Sequence, residues 1–266
     1  MAAKLVLVTG ASSGIGEATA KRYGGAGAHV LLLARNAERL YGVAHAIREA
    51  GGTATAFPID LAASEAFKDL AGRIETDIGT PDIVVNNAGA GRWLPLLDTT
   101  PHDARAMIDV PYLAAFNVTR AFAPGMIARG NGSLVFIASP ASYLAWPNAS
   151  AYIAARRAVA GFAEALQSEL RRTGVTVTLV VLGTVDTPYW EHNPGSLENV
   201  PKTDPRFMPT VTPDQAAKAI MDGAAQGKAF VVKPAIYRAL FVMNALFPNF
   251  VASQLRRAAK QAKAPL

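Results

Sequence analysis

The chain has 266 residues, of which 51% are apolar and 17% are charged. This composition excludes a disordered protein, and the length is sufficient for one large domain or two smaller ones. Cysteine is absent, which excludes disulfides, thiolate nucleophiles and metals held by cysteine. The N-terminal residues run directly into an apolar strand pattern, and no stretch of about 18 apolar residues follows. We expect no signal peptide, no membrane-spanning helix and a cytoplasmic location.

The net charge of +6 is concentrated at the C-terminal end. Residues 223–266 contain seven Lys or Arg and no Asp or Glu, so the rest of the chain is close to neutral. A strongly basic body would indicate nucleic-acid binding, and a neutral one does not. We expect no nucleic-acid partner.

Short apolar runs alternate with helical segments along most of the chain. Strands are predicted at 5–8, 29–33, 54–59, 82–85, 133–138, 175–182 and 229–232, and helices at 14–27, 36–50, 63–78, 101–129, 150–172 and from 213 onwards. Strands that are apolar throughout and separated by helices are typical of a parallel sheet covered on both faces. We therefore predict an α/β fold: one doubly wound, seven-stranded parallel sheet of the Rossmann type. Pro111 is difficult to place within the predicted helix 101–129.

Two segments depart from this alternation within the predicted single domain, 1–266. Residues 184–213 contain six of the 17 prolines, which predicts a substrate lid at about 184–213. The tail at about 234–266 is apolar from Ala235 to Phe250 and then basic. It either packs as a helix on the domain or on a second subunit, or makes peripheral contact with a membrane.

A glycine-rich turn lies between the first predicted strand and the first predicted helix, at Thr9-Gly10-Ala11-Ser12-Ser13-Gly14-Ile15-Gly16. Glycines allow the backbone to approach a pyrophosphate closely, and the helix N-terminus offers N–H donors and a partial positive charge. Many turns of this kind carry glycine for geometry alone. Its position after the first strand favours a dinucleotide site.

Further motifs follow this turn: Asn86-Asn87-Ala88-Gly89, then Ser139 and Tyr152 separated by 13 positions, then Val185-Asp186-Thr187-Pro188. Together with the turn they resemble the short-chain dehydrogenase/reductase family, in its short single-domain branch, over roughly residues 4–232. The resemblance implies an oxidoreductase with a nicotinamide cofactor. It also implies a homodimer or homotetramer, associated through the helices at 101–129 and 150–172.

The resemblance assigns catalytic roles to Ser139, Tyr152 and Arg156. For cofactor binding it indicates Thr9, Gly10, Ser12, Ser13, Gly14, Ile15, Gly16, Arg35, Asp60, Leu61, Asn87, Ala88, Gly89, Tyr152, Arg156, Val185 and Thr187. Outside that resemblance, Ser139 could be a turn residue at a strand end and Tyr152 a core aromatic.

The second strand ends in Leu33-Ala34-Arg35-Asn36, without the acid that would bind the ribose hydroxyls of NAD. The planar fork of Arg35 suits a 2′-phosphate. NADP(H) is therefore predicted in preference to NAD(H). Arg35 could instead be only a surface residue at a helix start, and Ser13 stands where many NADP-preferring relatives carry a second basic residue.

Two positions of the family's Asn-Ser-Tyr-Lys tetrad are altered. Arginine stands at position 156, four residues after Tyr152, where the family has lysine, and Pro111 stands at the asparagine position. Arginine keeps the positive charge but cannot release a proton. Two hypotheses follow: an active NADP(H)-dependent oxidoreductase with Tyr152 as acid/base, or an NADP(H)-binding sensor or scaffold of weak or no turnover.

Five aromatic residues are expected near the site, which favours an apolar, ring-containing alcohol or ketone over ordinary packing: Trp93, Tyr143, Trp146, Tyr189 and Trp190. Histidine offers no metal site in this sequence. His29, His45 and His102 show no ligand spacing, and His192 is expected at the surface of the lid.

Overall fold

A computed structural model describes residues 3–189, 191, 193, 195–201 and 208–260. Seven parallel strands form one sheet in the order β3-β2-β1-β4-β5-β6-β7. Their bounds are β1 Leu5–Thr9, β2 His29–Ala34, β3 Thr53–Pro58, β4 Ile83–Asn86, β5 Gly132–Ala138, β6 Val175–Leu182 and β7 Phe230–Lys233. The predicted fold class is confirmed. The strand order reverses between β1 and β4, which is where ligands bind in sheets of this type.

Helices cover both faces of this sheet. They are α1 Gly14–Gly25, α2 Ala37–Glu49, α3 Ser64–Asp77, α4 Pro101–Ile108, α5 Ala114–Ala128, α6 Ser150–Glu169, α7 Pro213–Ala225, α8 Ile236–Leu246 and α9 Pro248–Lys260. Side chains alternate along each strand, so Val6 packs in one core layer with α1, α2 and α7. Leu7 packs in the other layer with α3, α5 and α6. Both faces of β1 are therefore buried, which explains its continuous apolar run.

The predicted helix 101–129 is two helices joined by a π-helical turn at Asp109–Leu113. Pro111 is buried at the centre of that turn. Proline has no N–H to donate and its ring clashes with the preceding turn, so a regular helix is interrupted there. Such turns accommodate one extra residue and frequently occur at functional sites.

The chain between β6 and α7 contains one isolated parallel bridge, Val185 to Val211, among the residues that the structure describes. Trp190 and His192 lie outside the described residues. In the tail, Pro248 begins α9, because proline is well accommodated at the first position of a helix. No helix within the described ranges is long and apolar enough to cross a membrane.

Candidate active site

A cavity of about 400 Å³ opens at the carboxyl ends of the strands, at the point where the strand order reverses. It brings together most of the residues that the sequence predicts for the site. These are Gly10, Ser12, Ser13, Gly14, Ile15, Arg35, Asp60, Leu61, Asn87, Ala88, Gly89, Ser139, Tyr152, Arg156, Val185 and Thr187. Thr9 and Gly16 are not part of its lining.

Thr9 connects the first glycine-rich turn to the end of β4. Its buried hydroxyl accepts hydrogen bonds from the backbone N–H groups of Asn87 and Ala88, both at 2.9 Å. The side-chain amide of Asn87 donates in turn to the Thr9 carbonyl at 2.9 Å and to the Gly10 carbonyl at 3.3 Å. The two motifs therefore form one rigid unit beneath the cavity. Thr9 positions this unit, although Thr9 does not line the cavity.

The glycine-rich turn forms a cradle for an anion at the N-terminus of α1. Gly10 has φ +65°, a conformation that favours glycine. A Cβ at Gly16 would lie 2.1 Å from the Gly10 carbonyl oxygen, so the helix can approach the turn only with glycine there. The side chain of Ser13 makes no cap hydrogen bond. The first N–H groups of α1 are therefore available to a pyrophosphate, and the cradle fits that group.

Two arginines lie at the end of the cavity beyond β2. Arg35 follows β2 directly, and Arg39 is in the first turn of α2. The Asn36 side chain caps α2 by accepting from the Arg39 N–H at 2.9 Å, which fixes the start of that helix. The sequence analysis missed Arg39, which reaches the cavity because α2 begins directly after Arg35 and Asn36. Two guanidinium groups here suit a doubly charged phosphate.

Ser139 and Tyr152 both line the cavity. Ser139 follows β5 and caps a short 3₁₀ turn, its Oγ accepting from the Ala141 N–H at 3.3 Å. Tyr152 lies in the first turn of α6 and is 7% exposed. Its ring centroid is 5.4 Å from that of Trp93. The structure therefore places the serine and the tyrosine at one site, as the sequence predicts.

Arg156 lies one helical turn after Tyr152 and is 7% exposed. Its guanidinium carbon is 5.0 Å from the centroid of the Tyr152 ring, which is a cation–π contact. Its Nε has no hydrogen-bond partner among the described residues. Burial alone lowers the pKa of Arg156, but the nearby phenols of Tyr152 and Tyr189 more than offset it, and the net shift is upward. Arg156 is therefore a permanent positive charge in the cavity wall.

Tyr189 completes this cluster from the segment after β6. Its hydroxyl accepts a hydrogen bond from Arg156 at 3.1 Å and donates to the Gly91 carbonyl at 3.3 Å. Burial raises the pKa of Tyr189 above its usual value, and the charge of Arg156 acts in the opposite direction. A Cβ at Gly91 would lie 2.6 Å from the Tyr152 ring and 2.9 Å from the Tyr189 hydroxyl, so glycine there allows both tyrosines to approach.

Aromatic side chains form the wall of the cavity near Tyr152. Trp93, Trp146 and Tyr189 contribute as predicted. Tyr143 does not: its hydroxyl donates to Glu164, and its ring packs on Phe241 of α8. Tyr143 therefore lies outside the lining of the cavity, although Pro140 and Trp146 on either side of it contribute to that lining.

Helix α8 supplies a wall residue that the sequence analysis missed. Tyr237 lines the cavity, is buried, and lies against Gly183, where a Cβ would be 2.7 Å from the Tyr237 ring. Val110, next to Pro111 in the π-helical turn, also contributes to the wall.

The segment after β6 is connected to the loop after β4. The side-chain amide oxygen (Oδ1) of Asn193 accepts from the Gly91 N–H at 3.1 Å, and the Ser196 hydroxyl accepts from the Trp93 N–H at 3.1 Å. Both polar side chains are buried. These contacts hold one side of the aromatic wall in place. Within the described ranges no three His, Asp or Glu side chains lie close enough to bind a metal together.

Known proteins resemble this chain over most of its length. Residues 4–195 match the model of the short chain dehydrogenase family. An uncharacterized oxidoreductase of Mycobacterium tuberculosis is 39% identical over 82% of this chain, which spans 63% of that relative. A fatty acyl-CoA reductase of Acinetobacter baylyi is 33% identical over 82% of this chain and 72% of its own length.

A solved structure of a short-chain oxidoreductase has a similar fold. A metagenomic short-chain oxidoreductase in complex with NADP has a TM-score of 0.72 and 33% identity, covering 86% of this chain and 94% of that one. The curated oxidoreductase of M. tuberculosis is longer, since the chain spans less than two thirds of it. The family match covers well over half of the chain, and the cradle, Ser139 and Tyr152 share one cavity. The chain belongs to the short-chain dehydrogenase family.

Proposed function

We propose that the protein is an NADP(H)-dependent oxidoreductase that interconverts an apolar ketone or aldehyde with its alcohol. The observation that carries this proposal is that Ser139 and Tyr152 share a cavity with the anion cradle and the two arginines. The metagenomic relative's structure contains NADP, which supports the same cofactor here. Bound NADP(H) would supply or accept the hydride.

Different residues of the chain would bind different parts of the cofactor. The N-terminus of α1 and the turn from Gly10 would hold the pyrophosphate, because N–H donors and the helix dipole attract anions there. Arg35 and Arg39 would pair with a 2′-phosphate through charge-assisted hydrogen bonds. Asp60 and Leu61 line the neighbouring wall and would contact the adenine.

The proton is handled by Tyr152. In the direction of reduction its hydroxyl donates a proton to the substrate oxygen, and in oxidation the same oxygen accepts it. Ser139 orients the substrate oxygen by hydrogen bonding. Arg156 stays charged throughout, because a guanidinium does not lose its proton in proteins. Its charge stabilises the negative oxygen that Tyr152 bears after donation.

The substrate that fits this wall is apolar. Trp93 contacts Tyr152 and Trp146, and Tyr237 lines the same cavity. Aromatic walls of this kind bind apolar ligands through surface burial and ring contacts. The name of the Acinetobacter relative, a fatty acyl-CoA reductase, is compatible with that class. The segment at 184–213 is proposed as the lid over this end, since Thr187 and Tyr189 already form part of the wall.

We also propose that two copies associate through α5 and α6. Leu113, Phe116 and Ile127 expose between 38% and 39% of their surface on or beside α5, which is large for apolar residues of a helix in a packed domain. Phe116 contacts Phe162 of α6, so the two helices present a joined apolar surface. A symmetric pair would bury it.

Arg156 supports a second candidate function, that of a protein that binds NADP(H) as a sensor or scaffold. Because its side chain cannot relay a proton and Pro111 supplies no amide side chain, the protein could bind NADP(H) with little turnover.

One experiment separates the two functions. Purified protein is mixed with NADPH and a panel of aliphatic and aromatic ketones and aldehydes, and NADPH consumption and binding are measured by absorbance and fluorescence. We expect both binding and turnover in the parent, and binding alone in Tyr152→Phe. Tyr143→Phe, which changes a tyrosine outside the cavity, serves as the matched control. Binding without turnover in the parent would favour the second function, and full turnover in Tyr152→Phe would contradict the role of Tyr152.

A further inference from the structure

The helix pair α8–α9 presents an apolar tip to the outside. Leu246 is 67% exposed, Phe247 is 62% exposed and Phe250 is 55% exposed. These three residues are called the tip. They lie where α8 ends and α9 begins, with only Phe247 between the two helices. Large apolar side chains clustered at this exposure mark an interaction surface.

Helix α8 is apolar on both of its sides. Its inner side packs on the domain through Tyr237 and Phe241, the latter 4.9 Å from the ring of Tyr143. Its outer side carries the stripe Ala239, Val242, Met243 and Leu246, which recurs at helical spacing and lines a shallow surface groove. Helices that are apolar all round are normally covered on every side. Nothing in the described part of the chain covers this stripe.

Each of the two helices carries an arginine about two helical turns from the tip. Arg238 precedes Val242 by four residues and Leu246 by eight, so it shares their face of α8. Arg257 follows Phe250 by seven residues and shares its face of α9. At the rise of an α-helix these spacings place each arginine about 10–12 Å from the tip. The head-group region of a bilayer is about 5–8 Å thick on each side, so both arginines would lie at or just outside this region when the tip is at the acyl boundary.

The charged residues of the C-terminal segment that carries the tip have one sign. Residues 223–266 carry seven Lys or Arg and no Asp or Glu. Anionic lipid head groups attract such a segment, each cation adding to the affinity. A second copy placed symmetrically on this stripe would bring the same cations together, which opposes association. The charge therefore favours an anionic membrane over a self-contact on this face.

We propose that the α8–α9 tip docks on an anionic lipid bilayer, with Leu246, Phe247 and Phe250 at the acyl boundary and Arg238 and Arg257 at the phosphates. This docking is peripheral, and it does not depend on the proposed reaction.

Co-sedimentation with vesicles tests the proposal. Parent protein is centrifuged with vesicles of phosphatidylcholine alone and of phosphatidylcholine with phosphatidylserine, at low and high salt. We expect the parent to pellet with the phosphatidylserine vesicles at low salt, at least about tenfold more than with phosphatidylcholine alone, and to be released by salt. A parent that stays in the supernatant with anionic vesicles at low salt would overturn the proposal, whatever its enzymatic activity.

Two matched double variants test whether the tip makes the contact with the vesicles. Leu246→Asn with Phe247→Asn should lower vesicle binding about tenfold or more, because two apolar side chains are lost from the acyl boundary. Leu96→Asn with Leu97→Asn changes two residues that are 72% and 79% exposed elsewhere, and should bind as the parent does. Equal loss in both variants would contradict a specific tip. A dimer that the tip variant dissociates, without vesicle binding, would assign the face to a second copy instead.

Discussion

The guanidinium of Arg156 donates a hydrogen bond to the hydroxyl of Tyr189, with Nη2 and Oη 3.1 Å apart. The same hydroxyl donates to the Gly91 carbonyl at 3.3 Å. A side chain from the segment after β6 therefore holds in place the buried positive charge beside Tyr152. A buried guanidinium needs such partners to keep one position.

Removing that hydroxyl should weaken catalysis more than cofactor binding. Tyr189→Phe deletes the hydrogen bond to a buried charge, which costs about 1.5–3 kcal/mol. If Arg156 then shifts away from Tyr152, kcat should fall about tenfold or more. Stopped-flow turnover and NADPH fluorescence titration measure the two effects separately. An unchanged kcat, with Tyr143→Phe as the comparison, would show that Tyr189 does not position Arg156.

Arg35 should determine the choice between the two nicotinamide cofactors. Arg35→Asp should weaken NADPH binding by about 2–3 kcal/mol, since it replaces a charge-assisted contact to phosphate with repulsion. NADH binding should change little. Fluorescence titration of both cofactors tests this, with Arg73→Asp on the exposed side of α3 as the control. Equal affinity for NADPH and NADH in the parent would contradict the assignment.

The family resemblance assigns Pro111 and Arg156 to two tetrad positions, and we expect them to limit proton supply together. Arg156→Lys restores a side chain that exchanges protons, and Pro111→Asn restores an amide in the π-helical turn. The double variant should raise kcat about tenfold or more, and the two changes should be non-additive because they act on one network. The measurement is kcat against pH for the parent, both single variants and the double variant. A double variant no faster than the parent would show that the altered positions do not limit the rate.

Tyr23 should lower the free energy of unfolding at alkaline pH. Burial raises the pKa of Tyr23 to about 12 in the folded protein, against about 10 in an unfolded chain. The stability due to the neutral phenol is complete below pH 10 and is lost as the pH rises towards 12, because the unfolded state releases its proton first.

Tyr23→Phe should therefore flatten the alkaline fall in the free energy of unfolding, by about 2–3 kcal/mol near pH 12. Urea unfolding at several pH values measures this. Tyr41→Phe, at a tyrosine that is 55% exposed, should leave the alkaline fall unchanged. The same slope in the Tyr23 variant and the parent would refute the prediction.

Much of the fold and part of the site could be predicted from local sequence. The inner strands are short apolar runs, since strands inside a parallel sheet are buried on both faces, whereas the edge strand β3 is only partly buried and alternates Thr with Ala. The number of strands therefore followed from pattern alone. Gly10, Ser139 and Tyr152 occur in short motifs whose spacing is read directly. Site residues that belong to these short motifs could therefore be predicted from the sequence.

What could not be predicted depends on contacts between distant segments. Tyr189 meets Arg156 across 33 positions, and Tyr237 reaches the cavity from α8, near the end of the chain. No local pattern indicates either contact. The π-helical turn was missed for a related reason, because it is stabilised by the surrounding packing of Pro111 and not by intrinsic helix propensity.

Helix α8 has one side in the cavity wall at Tyr237 and the other at the outer stripe. An α-helix is about 10 Å across, so only the thickness of this one helix separates the cavity from the outer stripe. Because packed interiors transmit small displacements, we expect a shift of the helix at the stripe to reach the ring of Tyr237. Variants of either side of this helix should therefore be assayed for effects on the other side.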